Sequence, residues 1–245
     1  MSGARSLKKL RIIIVTEIIW MLESLFFYSK LRKFILTQQI QFDIKTKPVI
    51  FDVGANRGQS ATFFRRLFPS AKIYCFEPSP SVFKILQKTA SENTLLINKG
   101  VGEVESNLTF FESHFSESST FIRPNQSSTW QARKEKILGI KSEDMYVETY
   151  VPVITIDNFL SYEKVDFIYW LKIDVEGFEL KVLLGAINSL KQNRIQYVQL
   201  ESHFDDMRLD ESQEISKILT GNGYFRIKRI KHPFGNFYED IYRLN

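Results

Sequence analysis

Ten residues in the first quarter of the chain constrain its fold most. From Val49 to Gly58 the sequence reads V-I-F-D-V-G-A-N-R-G, and a helical pattern follows from Ser60 to Phe68. A short apolar run bounded by turn residues is typical of a strand covered on both faces in a parallel sheet. Glycines suit a loop whose backbone approaches a ligand closely, and the N–H groups that start the next helix favour negative charge. The stretch therefore predicts a buried strand, a ligand-binding turn and a helix.

A second strand that ends in an acid follows about 25 residues later. Residues Lys72 to Phe76 read K-I-Y-C-F, and Glu77 and Pro78 end the run. In nucleotide-binding βαβ units, the acid at the tip of the second strand hydrogen-bonds a ribose hydroxyl. A glycine turn after one strand and an acid after the next therefore predict an adenosine-type cofactor. The alternative is a structural turn beside a solvated acid.

The residues of the turn separate two classes of cofactor. The pyrophosphate of a nicotinamide dinucleotide needs the close backbone contact of a G-x-G-x-x-G loop. Here Asp52 lies two residues before Gly54, and Asn56 replaces a middle glycine. A carboxylate in that position repels a pyrophosphate but attracts the ammonium group of S-adenosylmethionine. The turn therefore favours a methyl donor over NAD.

Four motifs together resemble one enzyme family. They are D-V-G-A-N-R-G from Asp52, F-E-P-S-P from Phe76, V-P-V-I-T-I-D-N-F-L from Val151 and L-K-I-D-V-E-G-F-E-L-K-V-L-L-G-A from Leu171. Over residues 48–204 the sequence resembles the FkbM family of S-adenosylmethionine-dependent methyltransferases, and D-V-E-G-F-E is the most family-specific segment. The resemblance implies a class I methyltransferase fold. It also implies O-methylation of a hydroxyl group on a sugar, a glycolipid or a secondary metabolite.

The order of the predicted elements agrees with that fold. Strands and helices alternate through most of the chain, which is typical of a mostly parallel sheet with helices on both faces. Two further strands, at residues 224–230 and 237–244, flank a short turn and should pair antiparallel. We therefore predict a Rossmann-like three-layer α/β sandwich. Its sheet is seven-stranded and mostly parallel and ends in a C-terminal antiparallel hairpin.

The chain of 245 residues suits one domain with an N-terminal helical extension. Residues 47–245 form the predicted methyltransferase domain, and residues 103–150 interrupt it with an insertion that we interpret as a lid or substrate-recognition loop bordered by short strands. Residues 1–46 contain an apolar-rich stretch, 12–27, that two glutamates interrupt. Helices that pack on the domain, an amphipathic membrane-surface helix and a membrane anchor all stay open for this extension.

Four of the predicted strands end in an acid, namely Asp52, Glu77, Asp174 and Glu201. Ligands of open parallel sheets bind beyond the carboxyl ends of the strands, and charges are rarely buried without a partner. We assign Asp52 to the ammonium group of the cofactor and Glu77 to its ribose. The other predicted cofactor contacts are Gly54, Asn56 and Gly58 in the carboxylate-binding turn and, by the resemblance, Val101 beside the adenine.

Four residues are left for the acceptor: Asp174, Glu176, Glu201 and His203. Of these, we predict His203, Asp174 and Glu201 to be catalytic. A general base that removes the proton of the acceptor hydroxyl contributes roughly 10²–10⁴-fold to the rate. His203 is the first candidate by its ordinary pKa near 6.5, with Asp174 second, although His203 could instead only orient a loop. Asp174 and Glu201 could also share Mg²⁺, an alternative that an ion pair with Lys172 would weaken. We assign no metal ligand.

Composition narrows the partners and the competing functions. The net charge of +5 is modest and scattered, so nucleic-acid binding is not predicted. The single cysteine, Cys75, allows no internal disulfide, and we expect a cytoplasmic protein with possible membrane contact through residues 1–46. The expected partner is a small-molecule or glycan acceptor. Two functions compete with that of a methyltransferase. One is a nicotinamide-dependent oxidoreductase, which Asp52 and Asn56 disfavour, and the other is a non-catalytic nucleotide-binding module, which the intact Glu77 disfavours.

Overall fold

The computed structural model describes residues 25–37, 47–113, 119–123, 146–203, 211–232 and 237–245. The helices are α1 (25–37), α2 (Gln59–Leu67), α3 (Pro80–Thr89), α4 (Ile156–Tyr162), α5 (Glu179–Leu184), α6 (Ile187–Lys191) and α7 (Ser212–Gly221). The strands are β1 (Val49–Val53), β2 (Lys72–Phe76), β3 (Thr94–Ile97), β4 (Gly100–Val101), β5 (Ser106–Ser113), β6 (Tyr146–Ile154), β7 (Ile168–Ile173), β8 (Ile195–His203), β9 (Tyr224–Lys231) and β10 (Phe237–Leu244).

Seven strands form the main sheet, in the order β3-β2-β1-β7-β8-β10-β9. Neighbouring strands from β3 to β8 pair in parallel, and β10 pairs antiparallel with both β8 and β9. The predicted mostly parallel seven-stranded sheet with its terminal hairpin is therefore confirmed. Since β1 leads to β2 on one side and β7 leads to β8 on the other, the winding of the chain reverses between β1 and β7. Ligands of open α/β sheets bind at such a switch point.

Helices cover both faces of the main sheet, which gives the fold three layers. On one face, α4 to α7 pack against side chains that include Phe51 and Leu171. On the other face, α1, α2 and α3 pack against a second cluster that includes Ile50 and Trp170. Successive residues of a strand point to opposite faces, so Ile50 and Phe51 belong to different clusters. The single cysteine, Cys75, is buried in β2, as the sequence predicts.

Helix α1 ties part of the N-terminal extension to the sheet. Its buried side chains recur at helical spacing: Phe27, Leu31, Phe34 and Ile35. Such a spacing gives the helix one apolar face, and that face joins the cluster of Ile50 and Trp170. The predictions for residues 1–24 and 38–46 lie outside the described residues. In the described part of the chain, no helix combines the length and the apolar character that crossing a membrane requires.

Two helical regions differ from the prediction. Helix α4 is absent from the sequence prediction; the side chain of Thr155 caps it by accepting the N–H of Asn158 at 3.1 Å. After Glu176 and Gly177 the sequence predicts one helix to about Leu190, but the structure has two helices there, α5 and α6, which are divided at Gly185. A Cβ on Gly185 would lie 1.9 Å from the carbonyl oxygen of Gly102. The division therefore lets the turn after β4 pack backbone to backbone against the helix layer.

A second, three-stranded sheet has the order β4-β6-β5 and includes the described strands of the predicted insertion. Strands β5 and β6 pair antiparallel from Ser106 opposite Val153 to Ser113 opposite Tyr146. The two short strands expected in the insertion are thus present and longer than predicted. The proposed lid itself lies largely outside the described residues, apart from residues 119–123, where Thr120 pairs with Phe111.

Candidate active site

The turn after β1 is held tightly between two other strand ends. Gly54, Asn56 and Gly58 all have positive φ angles, of 80°, 48° and 87°. The N–H of Gly54 donates to the carbonyl oxygen of Phe76 at 3.0 Å. A Cβ on Gly54 would lie 1.8 Å from the carbonyl oxygen of Asp174. The turn therefore contacts the ends of β2 and β7, and position 54 has no room for a side chain.

Glu77 faces this turn from the end of β2. One of its carboxylate oxygens accepts the N–H of Asn56 at 2.9 Å, and the other accepts the N–H of Ser79 at 2.8 Å. Only 6% of the residue is exposed. Burial raises the pKa of Glu77 to about 7, although the two N–H donors lower it. The backbone thus fixes the carboxylate, and each oxygen has a second lone pair with which to accept from a hydroxyl.

Other contacts fix the surroundings of Glu77. The side-chain amide of Asn98 donates to the carbonyl oxygen of Glu77 at 2.8 Å. On the insertion, Glu112 of β5 accepts from the hydroxyls of Ser79 and Ser81. Val101, the predicted neighbour of the adenine, lies in β4 with only 1% of its surface exposed, so its side chain belongs to the core. Its contact with the cofactor stays a prediction.

Asp52, Lys172 and Asp174 form a charged triad across the switch point. Register pairs Asp52 of β1 with Lys172 of β7, whose Nζ lies 3.5 Å from Oδ1 of Asp52 and 2.9 Å from Oδ2 of Asp174. The side chains of Lys172 and Asp52 are 4% and 0% exposed, whereas that of Asp174 is 34% exposed. Two carboxylates and one ammonium give the ionised triad a net charge of −1. Its accessible end is Asp174.

The environment of the triad accounts for its ionisation. Burial raises the pKa of Asp52, and Lys172 opposes that rise. Burial lowers the pKa of Lys172, but the carboxylates of Asp174 and Asp52 outweigh this effect and place it well above its ordinary value. Lys172 therefore stays protonated, and its charge favours the ionised form of Asp52. The ion pair that the sequence analysis considered for Lys172 is present.

The triad continues into a buried polar row beneath α1. Gln199 is the register partner of Lys172 on β8 and donates to Glu239 of β10 at 3.1 Å. Its carbonyl oxygen accepts the indole N–H of Trp170 at 2.9 Å. Burial raises the pKa of Glu239. Because Glu239 keeps its proton to higher pH, it competes less with Asp52 for the charge of Lys172.

Three acids converge beside the exposed end of the triad. Asp174, Glu176 and Glu201 each offer a carboxylate oxygen, and these atoms all lie within 4.8 Å of one another. From the sequence we assigned all three to the acceptor end, but only Asp174 and Glu201 together to a possible Mg²⁺. Since Lys172 already contacts one oxygen of Asp174, the cluster is partly neutralised without a metal. A magnesium ion here stays the alternative that it was in the sequence, and we assign no metal ligand.

A contact from the insertion holds the loop after β7, which carries Asp174 and Glu176. Glu176 has a φ of 59°, which is uncommon for a residue with a side chain, and its carbonyl oxygen accepts the hydroxyl of Thr120 at 2.8 Å. The ring of Phe121 lies 4.8 Å from that of Phe110 on β5 and 5.0 Å from that of Phe178 on the loop. We call the contact of Thr120 and Phe121 with Glu176 and Phe178 the clasp. The sequence carries no local signal for the clasp, because these two pairs of residues are more than fifty positions apart.

Two of the predicted catalytic residues lie in β8 itself. The strand extends to His203, which is opposite Phe237 of β10, and Glu201 is opposite Glu239. Glu201 is 8% exposed and belongs to the acid cluster. The side chain of His203 lies outside the part of the structure that is described. Its role as a base therefore stays a prediction.

The described residues fit an adenosylated amino acid as cofactor. The cradled carboxylate of Glu77 suits the two hydroxyls of a ribose, and the negative triad suits an ammonium group. The turn between them, with Gly54 against the backbone of Asp174, keeps side chains out of the space at the switch point. Sequence analysis predicted these elements separately, and the structure brings them to one edge of the sheet.

The sequence matches the family described as Methyltransferase FkbM domain over residues 52–225. Methyltransferase sdnD of Sordaria araneosa is 29% identical over 59% of this chain and 62% of that protein. The 2-O-methyltransferase NoeI of Sinorhizobium fredii is 25% identical over 69% of this chain and 68% of its own length. The 31-O-demethyl-FK506 methyltransferase FkbM of Streptomyces tacrolimicus is 26% identical over 74% of each chain. The chain thus spans less than two thirds of the first of these relatives and somewhat more of the other two.

Among solved structures, the N-terminal domain of human METTL16 in complex with SAH has a similar fold. Its TM-score is 0.50 at 10% sequence identity, and the match covers 89% of this chain and 70% of that chain. At so low an identity the likeness concerns the fold alone. It agrees with the layers and the strand order described above.

Proposed function

Because the chain belongs to the FkbM methyltransferase family, we propose that it is an S-adenosylmethionine-dependent O-methyltransferase. The acceptor is a hydroxyl group of a sugar, a glycolipid or a secondary metabolite. Support for oxygen as the acceptor atom comes from the relatives, since NoeI is named as a 2-O-methyltransferase and FkbM as a 31-O-demethyl-FK506 methyltransferase. Those names describe the relatives, and the acceptor of this chain follows from them only as part of the proposal.

The observation that carries the proposal is the cradle of Glu77. Both of its carboxylate oxygens accept backbone N–H groups, one of them from Asn56 in the turn after β1. A carboxylate held in this way is ready to accept two hydroxyl donors without first losing side-chain entropy. Glu77 would therefore bind the ribose. Gly54, Asn56 and Gly58 would shape the turn that receives the carboxylate of the cofactor.

The triad would receive the ammonium group. Asp52 is enclosed, so it acts through its charge and through its hold on Lys172, while Asp174 is the member that a ligand can reach. A net charge of −1 in a buried setting attracts a cation more strongly than an exposed acid does. When bound, S-adenosylmethionine supplies an electrophilic methyl group. The residues of the chain supply binding, alignment and removal of a proton.

The acid cluster would orient the acceptor. Asp174, Glu176 and Glu201 can accept from hydroxyl groups of a sugar or polyol, and holding the reacting oxygen in line contributes much of the rate in such a displacement. The acceptor oxygen gains a methyl group and loses its proton. We assign that proton to His203, with Asp174 as the alternative base. Both residues lie at the same edge of the sheet, at or just beyond the ends of β7 and β8.

Calorimetric titration of the full chain with S-adenosylhomocysteine and, in parallel, with NAD tests the proposal. We expect saturable binding of S-adenosylhomocysteine and none of NAD. Binding of NAD alone, or of neither compound, would refute the proposed function. A methyl-transfer screen over glycans and polyols then follows. In that screen, His203→Ala should lower turnover roughly 100-fold while it leaves the affinity for S-adenosylhomocysteine within twofold. A change in affinity without a change in turnover would remove His203 from the chemistry.

A further inference from the structure

Basic residues occur throughout the chain, but the excess of positive charge lies in its first 47 residues. This segment has nine basic and three acidic residues, so its net charge is +6. The rest of the chain has 24 basic and 25 acidic residues and a net charge of −1. Twelve of the sixteen residues from 12 to 27 are apolar. Positive charge beside apolar sequence indicates a membrane surface more than a nucleic acid.

Helix α1 presents part of this segment on the surface of the domain. Its inner face is fixed, because it packs on the sheet and because the hydroxyl groups of Tyr28 and Ser60 hydrogen-bond at 2.8 Å. Its outer face carries three large apolar side chains: Leu25 is 62% exposed, Phe26 51% and Leu36 54%. Single exposed apolar residues are common, but three on one face of a short helix form a patch that indicates a partner.

Cationic side chains border this patch on both sides. At about 100° per residue, the three apolar residues fall within an arc of about 100° around the helix axis. Lys33 lies inside that arc, and Arg32 and Lys30 lie just beyond its two edges. All three cations are exposed, and α1 contains no acidic residue. The Nζ of Lys30 lies 4.4 Å from the centre of the Phe26 ring, so cationic and apolar groups are intermixed.

An anionic bilayer fits this outer face better than the other classes of partner. Interfacial helices insert Phe and Leu at the boundary of headgroups and acyl chains, while Lys and Arg reach the phosphates. A nucleic acid would pair with the cations but leave the apolar residues in water. A second copy of the chain would bring like charges together. Lys228 of β9, whose Nζ lies 5.9 Å from the ring centre of Phe34, adds a fourth cation beside the helix.

We propose that the outer face of α1 binds the protein to the surface of a bilayer that contains anionic lipids. The three apolar side chains enter the interfacial region, and the three cations of the helix contact the headgroup phosphates. The inner face of α1 keeps its contacts with the sheet, so docking requires no unfolding of the domain. The proposal concerns where the protein binds and does not depend on the proposed function.

Co-sedimentation of the full chain with vesicles tests the proposal. Vesicles of phosphatidylcholine and phosphatidylglycerol should pellet the chain saturably. Vesicles of phosphatidylcholine alone should bind it at least tenfold more weakly, because they lack the negative surface potential that attracts Lys and Arg. Added salt should weaken binding to the anionic vesicles, since it screens the electrostatic part of the attraction.

A first pair of variants tests the cations. Lys30→Gln combined with Lys33→Gln should weaken binding to the anionic vesicles about 25-fold, because each cation near such a surface contributes about fivefold. Lys191→Gln combined with Lys217→Gln makes the same change of charge at exposed positions of α6 and α7, on the opposite face of the sheet. This control should weaken binding less than twofold.

A second pair of variants tests the apolar patch. Phe26→Ser should weaken binding to the anionic vesicles about fivefold, since it removes apolar surface that the bilayer would bury. Phe167→Ser is the matched control, because Phe167 is 40% exposed in the loop before β7. It should change binding less than twofold. All of these positions are exposed, so urea unfolding should show folded proteins in every case.

Four outcomes would overturn the proposal. The first two are the absence of saturable pelleting and equal losses in the variants of α1 and in their controls. A dimer that Phe26→Ser dissociates, in place of vesicle binding, would assign the outer face to a second copy of the chain. Binding of a duplex RNA that the loss of Lys30 and Lys33 weakens and Phe26→Ser does not, again in place of vesicle binding, would assign it to a nucleic acid.

Discussion

The two halves of the site are built in different ways. The cofactor half, residues 49–79, is one continuous segment, and its turn after β1 is held by contacts between backbone groups and by backbone N–H groups that donate to Glu77. The acceptor half joins three separate segments, which carry Thr120, the loop from Asp174 to Phe178, and Glu201. It is held by side chains that come together only in the folded chain. Lys172 links the halves, because its ammonium group contacts an acid of each.

This difference separates the half that recognises the methyl donor, which all such enzymes share, from the half that recognises one particular acceptor. Backbone contacts depend little on side-chain identity, so the cofactor half can stay the same while acceptors differ. Side-chain contacts such as the clasp and the acid cluster can change one at a time. We therefore expect substitutions in the cofactor half to abolish binding of the methyl donor. Substitutions in the acceptor half should alter turnover while the donor still binds, except at Asp174, which belongs both to the triad and to the acid cluster.

The largest effect is expected for Gly54→Ala, in the cofactor half. The new Cβ would lie 1.8 Å from the carbonyl oxygen of Asp174, in a backbone conformation with a φ of 80°. Strain and overpacking together should cost about 4 kcal/mol of unfolding free energy. The turn must shift, so affinity for S-adenosylhomocysteine should fall at least 100-fold. Urea unfolding and calorimetry measure the two effects.

Gly221→Ala is the matched control for that variant. Gly221 belongs to α7, and a Cβ there would meet no atom within 4 Å. Alanine in a helix is favoured over glycine, so stability should rise by about 0.5–1 kcal/mol with no change in cofactor affinity. If both variants bound S-adenosylhomocysteine equally well, the turn after β1 would not be the cofactor site.

The same contrast explains how far the sequence could predict the structure. The strand, turn and helix of the cofactor half follow from short patterns, and the tip of β2 supplied Glu77 directly. The acids at the ends of β7 and β8 were found in the same way. The clasp was not found, because a threonine and a phenylalanine in a polar stretch carry no local signal of a partner at Glu176. Helix α4 was missed because its seven residues are too few to show a clear helical period.

Lys172→Met should have the second largest effect, because it removes the link between the halves. Asp52 is fully buried and would lose its cationic partner at 3.5 Å. Breaking a buried ion pair from one side should cost about 3 kcal/mol of unfolding free energy. Asp52 would then take up a proton, so the net charge of the triad would stay at −1. Asp174, however, would lose the ammonium group that holds its carboxylate at 2.9 Å, and the affinity for S-adenosylhomocysteine should therefore fall roughly tenfold.

Lys181→Met controls for the loss of a lysine. Lys181 pairs with Glu103 at 2.7 Å, but both side chains are 44% exposed. Exposed ion pairs contribute little to stability, so neither unfolding nor cofactor binding should change appreciably. Similar losses in both lysine variants would contradict a special role of the buried triad.

A change of pH should affect the cofactor half to an intermediate extent. The pKa of Glu77 is raised from its ordinary 4.5 to about 7, so the carboxyl is mostly protonated at pH 6 and mostly ionised at pH 8. Only the carboxylate can accept from two ribose hydroxyls. Affinity for S-adenosylhomocysteine should therefore rise about tenfold from pH 6 to pH 8, in proportion to the ionised fraction.

The same pKa has the opposite effect on the stability of the free protein. Between pH 4.5 and 7 the folded state holds a proton on Glu77 that the unfolded state has lost. The stability that this proton contributes is fully present below pH 4.5 and is lost as the pH rises through 7. Glu77→Gln should bind the cofactor weakly at every pH, with a flatter profile. A tenfold rise that persisted in Glu77→Gln would mean that another group titrates.

The smallest effect is expected in the acceptor half, from Thr120→Val. The variant keeps the shape of the side chain but loses its hydrogen bond to the carbonyl oxygen of Glu176 at 2.8 Å, which should cost about 1 kcal/mol. Glu176 would then be freer to leave its positive φ, and the acid cluster would lose its alignment.

We expect turnover to fall about fivefold, which is the rate change that 1 kcal/mol produces. Affinity for S-adenosylhomocysteine should stay within twofold of the parent, because the hydrogen bonds of Thr120 are with Phe111, Ile122 and Glu176, outside the cofactor half. Thr149→Val is the matched control, since Thr149 lies on the same hairpin and its hydroxyl contacts Phe110 at 3.5 Å instead of the acid loop. Equal turnover in the two threonine variants would mean that the acceptor half is aligned without the clasp.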